Sequence, residues 1–93
     1  MEIRYHWNPE TSQPHIYDHG VGESEVEDVL NAPSATERGR NGTLVAYGQA
    51  HNGRWLKVIY SLGDDGMSHF VITAYTPNPK ATRALRRRAE KKR

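Results

Sequence analysis

Two Asn-Gly dipeptides, at residues 41–42 and 52–53, constrain the fold of this chain more than any other feature. Asn-Gly favours the left-handed backbone geometry of tight hairpin turns, so each dipeptide predicts antiparallel pairing of its flanking strands. A third turn follows at Gly63-Asp64-Asp65-Gly66. Together these turns predict a meander of four strands, which cover residues 34–39, 43–51, 54–62 and 67–76. Unbroken apolar runs in the last two indicate central strands that are covered on both faces.

The segment before the meander predicts one strand and two helices. Residues 2–7 alternate apolar and polar side chains, which is the pattern of a strand with one buried face. A short helix is expected to start at Pro14 and to end before Gly20. Ser24 and Glu27 predict a capping box at the start of a second helix, whose apolar residues share one face.

The segment after the meander predicts a basic C-terminal helix. Pro77 and Pro79 end the sheet, and a helix with a thin apolar stripe follows from Lys80. The predicted order is therefore β-α-α-β-β-β-β-α, an α+β fold with an antiparallel twisted sheet and helices on one face. Because 93 residues suffice for one small core, we expect a compact body over 1–79 and a basic helix of the same domain over 80–93.

The charges are divided unevenly along the chain. The last fourteen residues hold eight of the thirteen Lys and Arg side chains and one acid, whereas residues 1–79 hold five bases and ten acids. Such a dense run of like charge predicts a polyanionic partner, either nucleic acid or an acidic protein surface, although a solubilising terminus has the same composition. The residues that we assign to nucleic-acid contact are Lys80, Arg83, Arg86 and Arg87.

The composition also limits the chemistry. The absence of cysteine excludes disulfides, thiolate catalysis and thiolate metal sites. No apolar run is long enough to cross a bilayer, and the N-terminus lacks the apolar stretch of a secretory signal, so we expect a cytoplasmic protein without membrane association. We expect no metal and no cofactor.

His15 and His19 are the first candidates for catalysis. Their spacing of four residues would place both on one helical face with Asp18 beside them, a pattern that can bind a divalent metal or present an imidazole for proton transfer. No third strong ligand lies at metal-site spacing, which favours proton transfer over metal binding. A surface or capping histidine remains the alternative. The other histidines are assigned structural roles, because spacing gives them no partner: His6, His51 and His69.

Arg54 and Tyr75 are the other candidates for catalysis. Arg54 follows a predicted turn and could clamp a phosphate at the rim of the sheet, or serve as an edge charge that blocks strand pairing. Lys57 alternates to the opposite face from Arg54, so only one of the two can face a given groove. Tyr75 ends the last strand, where its hydroxyl could reach a substrate or simply solvent.

Several segments resemble the BrnT-type toxins. Tyr5-His6-Trp7-Asn8-Pro9-Glu10, Tyr17-Asp18-His19-Gly20-Val21 and Glu25-Val26-Glu27-Asp28-Val29-Leu30 resemble the opening of that family. Gly53-Arg54-Trp55-Leu56 is similar to its Gly-Arg-x-Leu strand, and Val71-Ile72-Thr73-Ala74-Tyr75 lies where the family has an Ile-Ser-Ala-Arg strand end. Small relatives of these toxins share the Ile-Thr-Ala-Tyr variant.

The resemblance implies the RelE/ParE-like toxin fold, a ribonuclease activity that arrests translation, and a cognate antitoxin that masks the toxin. It carries site roles over to His19, Arg54 and the basic residues after Tyr75. The chain departs from the family at two positions: Tyr75 replaces the arginine at the strand end, and Pro14 interrupts the first helix.

The residues and the resemblance together predict a metal-independent endoribonuclease. His15 or His19 would activate the ribose 2′-hydroxyl, Tyr75 or a histidine would protonate the leaving oxygen, and cations would stabilise the phosphorane. The predicted cations are Arg54, Lys80 and Arg83. We expect the C-terminal helix to dock so that its guanidinium groups share one groove with Arg54 and the histidines. Two alternatives remain: a non-catalytic module that binds nucleic acid or an acidic partner, and a small structural protein.

Overall fold

The computed structural model describes residues 2–91. In this part of the chain, the strands are β1 (Ile3–Tyr5), β2 (Trp7–Asn8), β3 (Gln13–Pro14), β4 (Ala35–Arg38), β5 (Leu44–Gln49), β6 (Trp55–Leu62) and β7 (His69–Tyr75). The helices are a 3-10 helix (His15–His19), α1 (Glu23–Asn31) and α2 (Pro79–Lys91). The α+β class and the predicted meander are confirmed.

The main sheet has five strands in the order β1-β7-β6-β5-β4 and is mixed. Strands β4 to β7 pair antiparallel, as the turns predict, but β1 pairs parallel to β7, so the prediction of an antiparallel sheet is wrong. The reason is that no hairpin joins β1 to its neighbour; the chain returns to that edge only after the β2–β3 ribbon, two helices and three other strands of the main sheet. The predicted first strand also splits, because β2 leaves the sheet and pairs with β3 in a separate ribbon.

One face of the sheet carries the main hydrophobic core. The 3-10 helix contributes Ile16 and α1 contributes Val26, Val29 and Leu30, as its predicted apolar face requires; these pack against Leu56 and other residues of the central strands. α1 begins one residue earlier than its predicted cap. Its N-cap is Gly22, whose N–H donates to Glu25 Oε1 at 3.0 Å, so the capping box does not use the predicted pair.

α2 lies against the opposite face, so the prediction that all helices share one face is wrong. A Cβ at Gly48 would meet Val29 of α1 at 3.1 Å, which places the neighbouring Tyr47 on the other side of the sheet. Tyr47 borders a cavity of about 320 Å³ together with Ala84 and the buried Leu85 of α2. The reason is that the meander exposes apolar side chains on both faces, and α1 covers only one of them.

The 3-10 helix occupies the part of the β7 edge that β1 leaves unpaired. β1 pairs with β7 only as far as Tyr5 opposite Val71. The His15 N–H then donates to the His6 carbonyl at 2.7 Å, which starts the 3-10 helix beside β1, and Gly20 ends it with a φ of 70°. This arrangement positions the histidines of the helix next to the end of β7.

No helix within residues 2–91 is long and apolar enough to cross a membrane.

Candidate active site

Five aromatic and imidazole side chains form a continuous line along the β1–β7 edge of the sheet, and we call it the ring row. Its members, in order, are Phe70, His6, His15, His19 and Tyr75. The ring centroids of successive members are 6.4, 6.0, 5.4 and 5.8 Å apart, with edge-to-face or tilted geometry throughout. The row therefore brings together three of the four predicted catalytic residues, namely both helical histidines and the tyrosine.

His15 is oriented by a carboxylate. Its Nδ1 lies 3.1 Å from Asp18 Oδ2, and the same oxygen accepts a hydrogen bond of 2.9 Å from Asn8 Nδ2. Side chains three residues apart eclipse in a 3-10 helix, which explains why Asp18 meets His15. A carboxylate at Nδ1 fixes the proton on that nitrogen and leaves Nε2 as the acceptor, so His15 has the arrangement of a general base.

A lysine extends the ring row at its Tyr75 end. Lys57 Nζ lies 5.7 Å from the centroid of the Tyr75 ring and 5.8 Å from that of Tyr47, which occupies the adjacent position on β5. Partial burial alone would lower the pKa of Lys57, but the hydroxyls of Tyr75 and Tyr47 outweigh burial and raise the pKa above its ordinary value. The ammonium group is therefore a permanent cation at the end of the row, suited to an anionic ligand.

Tyr47 connects this lysine to the edge of the sheet. Its hydroxyl donates a hydrogen bond of 2.7 Å to Glu37 Oε1. Burial and this hydrogen bond both raise the pKa of Tyr47, against the opposing effect of Lys57. Tyr47 thus stays neutral, and its hydrogen bond holds the ring beside the ammonium group.

Arg54, the fourth predicted catalytic residue, lies on the α1 side of the sheet. Its Nη1 donates to the Gly20 carbonyl at 2.8 Å and contacts the two Glu25 carboxylate oxygens at 3.2 and 3.3 Å. Its Nη2 reaches Thr76 Oγ1 at 3.4 Å. The guanidinium group thus connects the end of the 3-10 helix with α1 and with the residue that follows β7. Through Gly20 and Thr76 it stabilises the chain next to His19 and Tyr75.

The predicted nucleic-acid contacts on α2 lie in two places. Lys80, Arg83 and Arg87 line a depression of about 370 Å³ together with Ala84, on the exposed side of the helix. Arg86 borders a different cavity of about 380 Å³ with Gln49 and Trp55. Neither depression is lined by Arg54 or by a histidine, so the structure does not bring these cations together with Arg54 and the histidines in the expected groove.

Two members of the site were missed by the sequence reasoning. On the sequence alone, the phosphate-binding role is assigned to Arg54 and not to Lys57. The alternation of side chains along the strand predicts only that one of the two faces the site. His6 was assigned a structural role, and nothing in its local sequence indicates that it contacts His15, because that contact depends on the return of the chain through the β2–β3 ribbon. The remaining histidines lie elsewhere: His51 is 3.3 Å from Asp28, and His69 stacks on Tyr60 at 5.1 Å.

Within the described part of the chain, no group of three or more His, Asp or Glu side chains is arranged to hold a metal ion. The ring row and Lys57 together supply three successive imidazoles, one of which has a carboxylate partner, a phenol and an ammonium group. These are the groups needed to move a proton on each side of a phosphodiester and to stabilise negative charge between them. In the comparison with known proteins, no family model and no curated protein matches this chain.

Proposed function

We propose that this protein is a toxin-like endoribonuclease that cleaves RNA at the ring row without a metal ion. The observation that carries the proposal is the pairing of His15, oriented by Asp18 at 3.1 Å, with His19, whose ring centroid lies 5.4 Å away. Lys57 adds a cation beside Tyr75 at the same surface. General acid–base cleavage of RNA needs this set of groups and no other cofactor.

The reaction is a transesterification. His15 Nε2 takes the proton of the ribose 2′-hydroxyl, and the 2′-oxygen attacks the adjacent phosphorus. His19 donates a proton to the 5′-oxygen as its bond to phosphorus breaks. The products are a 2′,3′-cyclic phosphate and a free 5′-hydroxyl, and both imidazoles must then exchange protons with water to restore the starting state.

Lys57 and Tyr75 stabilise the charge that develops on the phosphoryl oxygens. An ammonium group that stays protonated is effective there because it needs no reorganisation during the reaction. In this proposal, Arg54 contributes by holding the Gly20 carbonyl and the Thr76 hydroxyl, which follow His19 and Tyr75 in the chain, rather than by binding phosphate.

The test is cleavage of a labelled single-stranded RNA by the purified protein, with and without a chelator. We expect chelator-resistant cleavage that gives cyclic phosphate ends, with a rate that falls roughly 100-fold to 10,000-fold in His15→Ala and His19→Ala. Lys57→Met should lower the rate by roughly 100-fold through loss of charge stabilisation.

His51→Ala is the matched control, because His51 is also an imidazole beside a carboxylate but lies outside the ring row. It should cleave at the wild-type rate. Wild-type protein that fails to cleave RNA, or row variants that cleave as fast as His51→Ala, would refute the catalytic proposal.

A second candidate function follows from α2. The outward cations Lys80, Arg83 and Arg87 face solvent on one side of the helix, an arrangement that supports phosphate binding without catalysis. A salt-sensitive mobility shift of RNA in the absence of cleavage would favour this binding module over the ribonuclease. A cognate antitoxin that masks the ring row remains part of the ribonuclease proposal, and co-purification with the product of a neighbouring reading frame tests it.

A further inference from the structure

The end of the ring row opposite Lys57 opens into a second depression, which we call the Phe70 pocket. It has a volume of about 380 Å³ and is lined by Glu2, Arg4, Gly63, Asp65, Ser68, His69 and Phe70. The cleavage reaction proposed above uses none of these residues. The pocket nevertheless adjoins the row directly, because Phe70 is both the first ring of the row and part of the pocket wall.

Phe70 exposes an aromatic ring at this position. The side chain is 40% exposed, although the residue lies in an internal strand of the sheet. The strand register pairs Phe70 with Arg4, so the guanidinium group of Arg4 borders the same side of the sheet. An exposed ring with a neighbouring guanidinium group is the arrangement on which proteins stack unpaired nucleobases.

The charges around the Phe70 pocket favour a neutral ligand. Two carboxylates, Glu2 and Asp65, accompany one cation, Arg4, so a phosphate group would be repelled from the pocket. Both carboxylates are already hydrogen-bonded. Arg4 Nε donates to Glu2 Oε1 at 2.6 Å, and Asp65 accepts the Ser68 N–H at 2.8 Å and the Ser68 hydroxyl at 2.7 Å.

The Asp65 carboxylate accepts hydrogen bonds from residues of its own turn. Hydrogen bonds from Ser68 and from the Met67 N–H lower the pKa of Asp65 to about 2. Asp65 Oδ1 accepts the Met67 and Ser68 N–H groups and Oδ2 accepts the Ser68 hydroxyl, so both oxygens are engaged within the turn. The pocket thus offers an aromatic surface and a polar rim, whereas Lys57, a cation suited to a phosphate, lies beside Tyr75 at the other end of the row.

The pocket and the proposed cleavage site form one surface. The Phe70 ring lies 6.4 Å from His6, and His6 lies 6.0 Å from His15, so a single strand can occupy both places. A duplex cannot do this, because its bases are stacked and paired inside the helix. Only an unpaired strand can place one base on Phe70 while its backbone follows the histidines.

We propose that the Phe70 pocket binds one unpaired base of single-stranded RNA by stacking on the Phe70 ring. This inference rests on the proposed function for the identity of the polymer, and it adds the substrate class: single-stranded rather than duplex RNA. The stacked base holds the strand in register, so that a phosphodiester near His15 is presented to the acid–base pair.

The test measures binding separately from cleavage. A fluorescein-labelled single-stranded RNA with 2′-O-methyl groups has no free 2′-hydroxyl and cannot be cleaved by transesterification, so fluorescence anisotropy reports its Kd directly. Phe70→Leu, which keeps an apolar side chain but removes the ring, should weaken binding roughly fivefold to 100-fold, as expected for the loss of one base stack. Phe70→Tyr should retain binding within about twofold.

Leu62→Ala is the control for a general loss of exposed apolar surface, since Leu62 is 44% exposed and does not line the pocket. It should bind as the wild type does, and a duplex of the same sequence should bind wild-type protein at least tenfold more weakly than the single strand. A Phe70→Leu variant with wild-type affinity, a duplex that binds as well as the single strand, or wild-type protein that does not bind would overturn the proposal.

The two proposals can fail separately. If His15→Ala abolishes cleavage while Phe70→Leu changes neither the Kd nor the cleavage rate, the base pocket is wrong and the ribonuclease stands. If the 2′-O-methyl strand binds in a Phe70-dependent way but unmodified RNA is not cleaved, the ribonuclease is wrong and the base-binding pocket stands.

Discussion

Arg54→Ala should mainly destabilise the fold. The Arg54 guanidinium donates to the Gly20 carbonyl at 2.8 Å, contacts both Glu25 oxygens at 3.2 and 3.3 Å, and reaches Thr76 at 3.4 Å. A hydrogen bond to a charged group contributes about 1.5–3 kcal/mol net. The Arg54 side chain is 34% exposed, so solvent screening reduces this value. We therefore expect a loss of about 2 kcal/mol for the whole set of contacts, since the longer ones contribute little.

The assay is chemical and thermal unfolding followed by circular dichroism. For a chain of this size, about 2 kcal/mol corresponds to a fall in Tm of roughly 8–16 °C. Arg83→Ala is the matched control, because Arg83 is an exposed arginine on α2, and it should change stability by less than about 0.5 kcal/mol. RNA cleavage by Arg54→Ala, measured well below its Tm, should stay within about tenfold of the wild-type rate, since the side chain supports the site without binding phosphate.

The effect of Arg54→Ala on stability should depend on pH through Glu25. Burial alone would raise the pKa of Glu25, but hydrogen bonds from Gly22 and Asn52, together with Arg54, outweigh it and lower the pKa. A carboxylate with a lowered pKa stabilises the fold above its unfolded-state pKa, and this stabilisation is lost as the pH falls through the folded-state value. The difference in stability between the wild type and Arg54→Ala should therefore shrink below the ordinary pKa of a glutamate. An Arg54→Ala protein that unfolds like the wild type but no longer binds or cleaves RNA would contradict this reasoning and return Arg54 to the phosphate-clamp role.

Two further predictions concern α2 and the β6–β7 turn. Leu85→Ala should lower the free energy of unfolding in urea by about 2 kcal/mol, because Leu85 of α2 is only 6% exposed. An unchanged urea midpoint would show that α2 does not pack against the sheet. Asp65→Asn should remove a stabilisation that the wild type keeps above the ordinary aspartate pKa and loses between about pH 4 and its folded-state pKa of about 2. The free energies of unfolding of the wild type and Asp65→Asn should thus differ at pH 6 and approach each other near pH 2. A constant difference between their unfolding midpoints across that range would refute the stabilising role of the Asp65 carboxylate.

The elements that local chemistry specifies could be predicted from the sequence. The Asn41-Gly42 and Asn52-Gly53 turns fix which strands are neighbours, and the positive φ of Asn41, Gly42 and Gly53 agrees with the backbone geometry that they imply. The apolar face of α1 follows from its helical periodicity. These features depend on residues a few positions apart, which is why pattern reasoning identifies them.

The orientation of β1 and the side of the sheet that α2 covers could not be predicted in this way. Ile3 pairs with His69, and no turn motif joins the two strands, so the local sequence contains nothing that sets their direction. For α2, the thin apolar stripe indicates that one side of the helix packs but not on which face of the sheet. Both faces of the meander carry apolar side chains, so the face that α2 covers is decided by which face α1 already occupies.

The candidate site shows the same division. The contact between His15 and Asp18 comes from a 3-10 helix, in which residues three apart eclipse, whereas the four-residue spacing of His15 and His19 predicts a helical face that the two histidines share. Residue types identified His15 and His19 as candidates, but the helix type decides which neighbour orients them. Lys57 joins the site because the strand register places it between Tyr47 and Tyr75, and that register cannot be read from the residues adjacent to Lys57 in the sequence.

The order of the ring row is set by the backbone, and this determines how its variants can be interpreted. Pairing of β1 with β7 ends at Val71, after which the His6 N–H still donates to the Val71 carbonyl at 2.8 Å. The His6 carbonyl then accepts the His15 N–H at 2.7 Å, and the 3-10 helix carries the chain along β7 to place His19 beside Tyr75. Because main-chain hydrogen bonds hold the row at the β1–β7 edge, replacing one ring removes its chemistry without moving its neighbours. A loss of activity in one variant can therefore be assigned to the side chain that was changed, provided that the variant melts like the wild type.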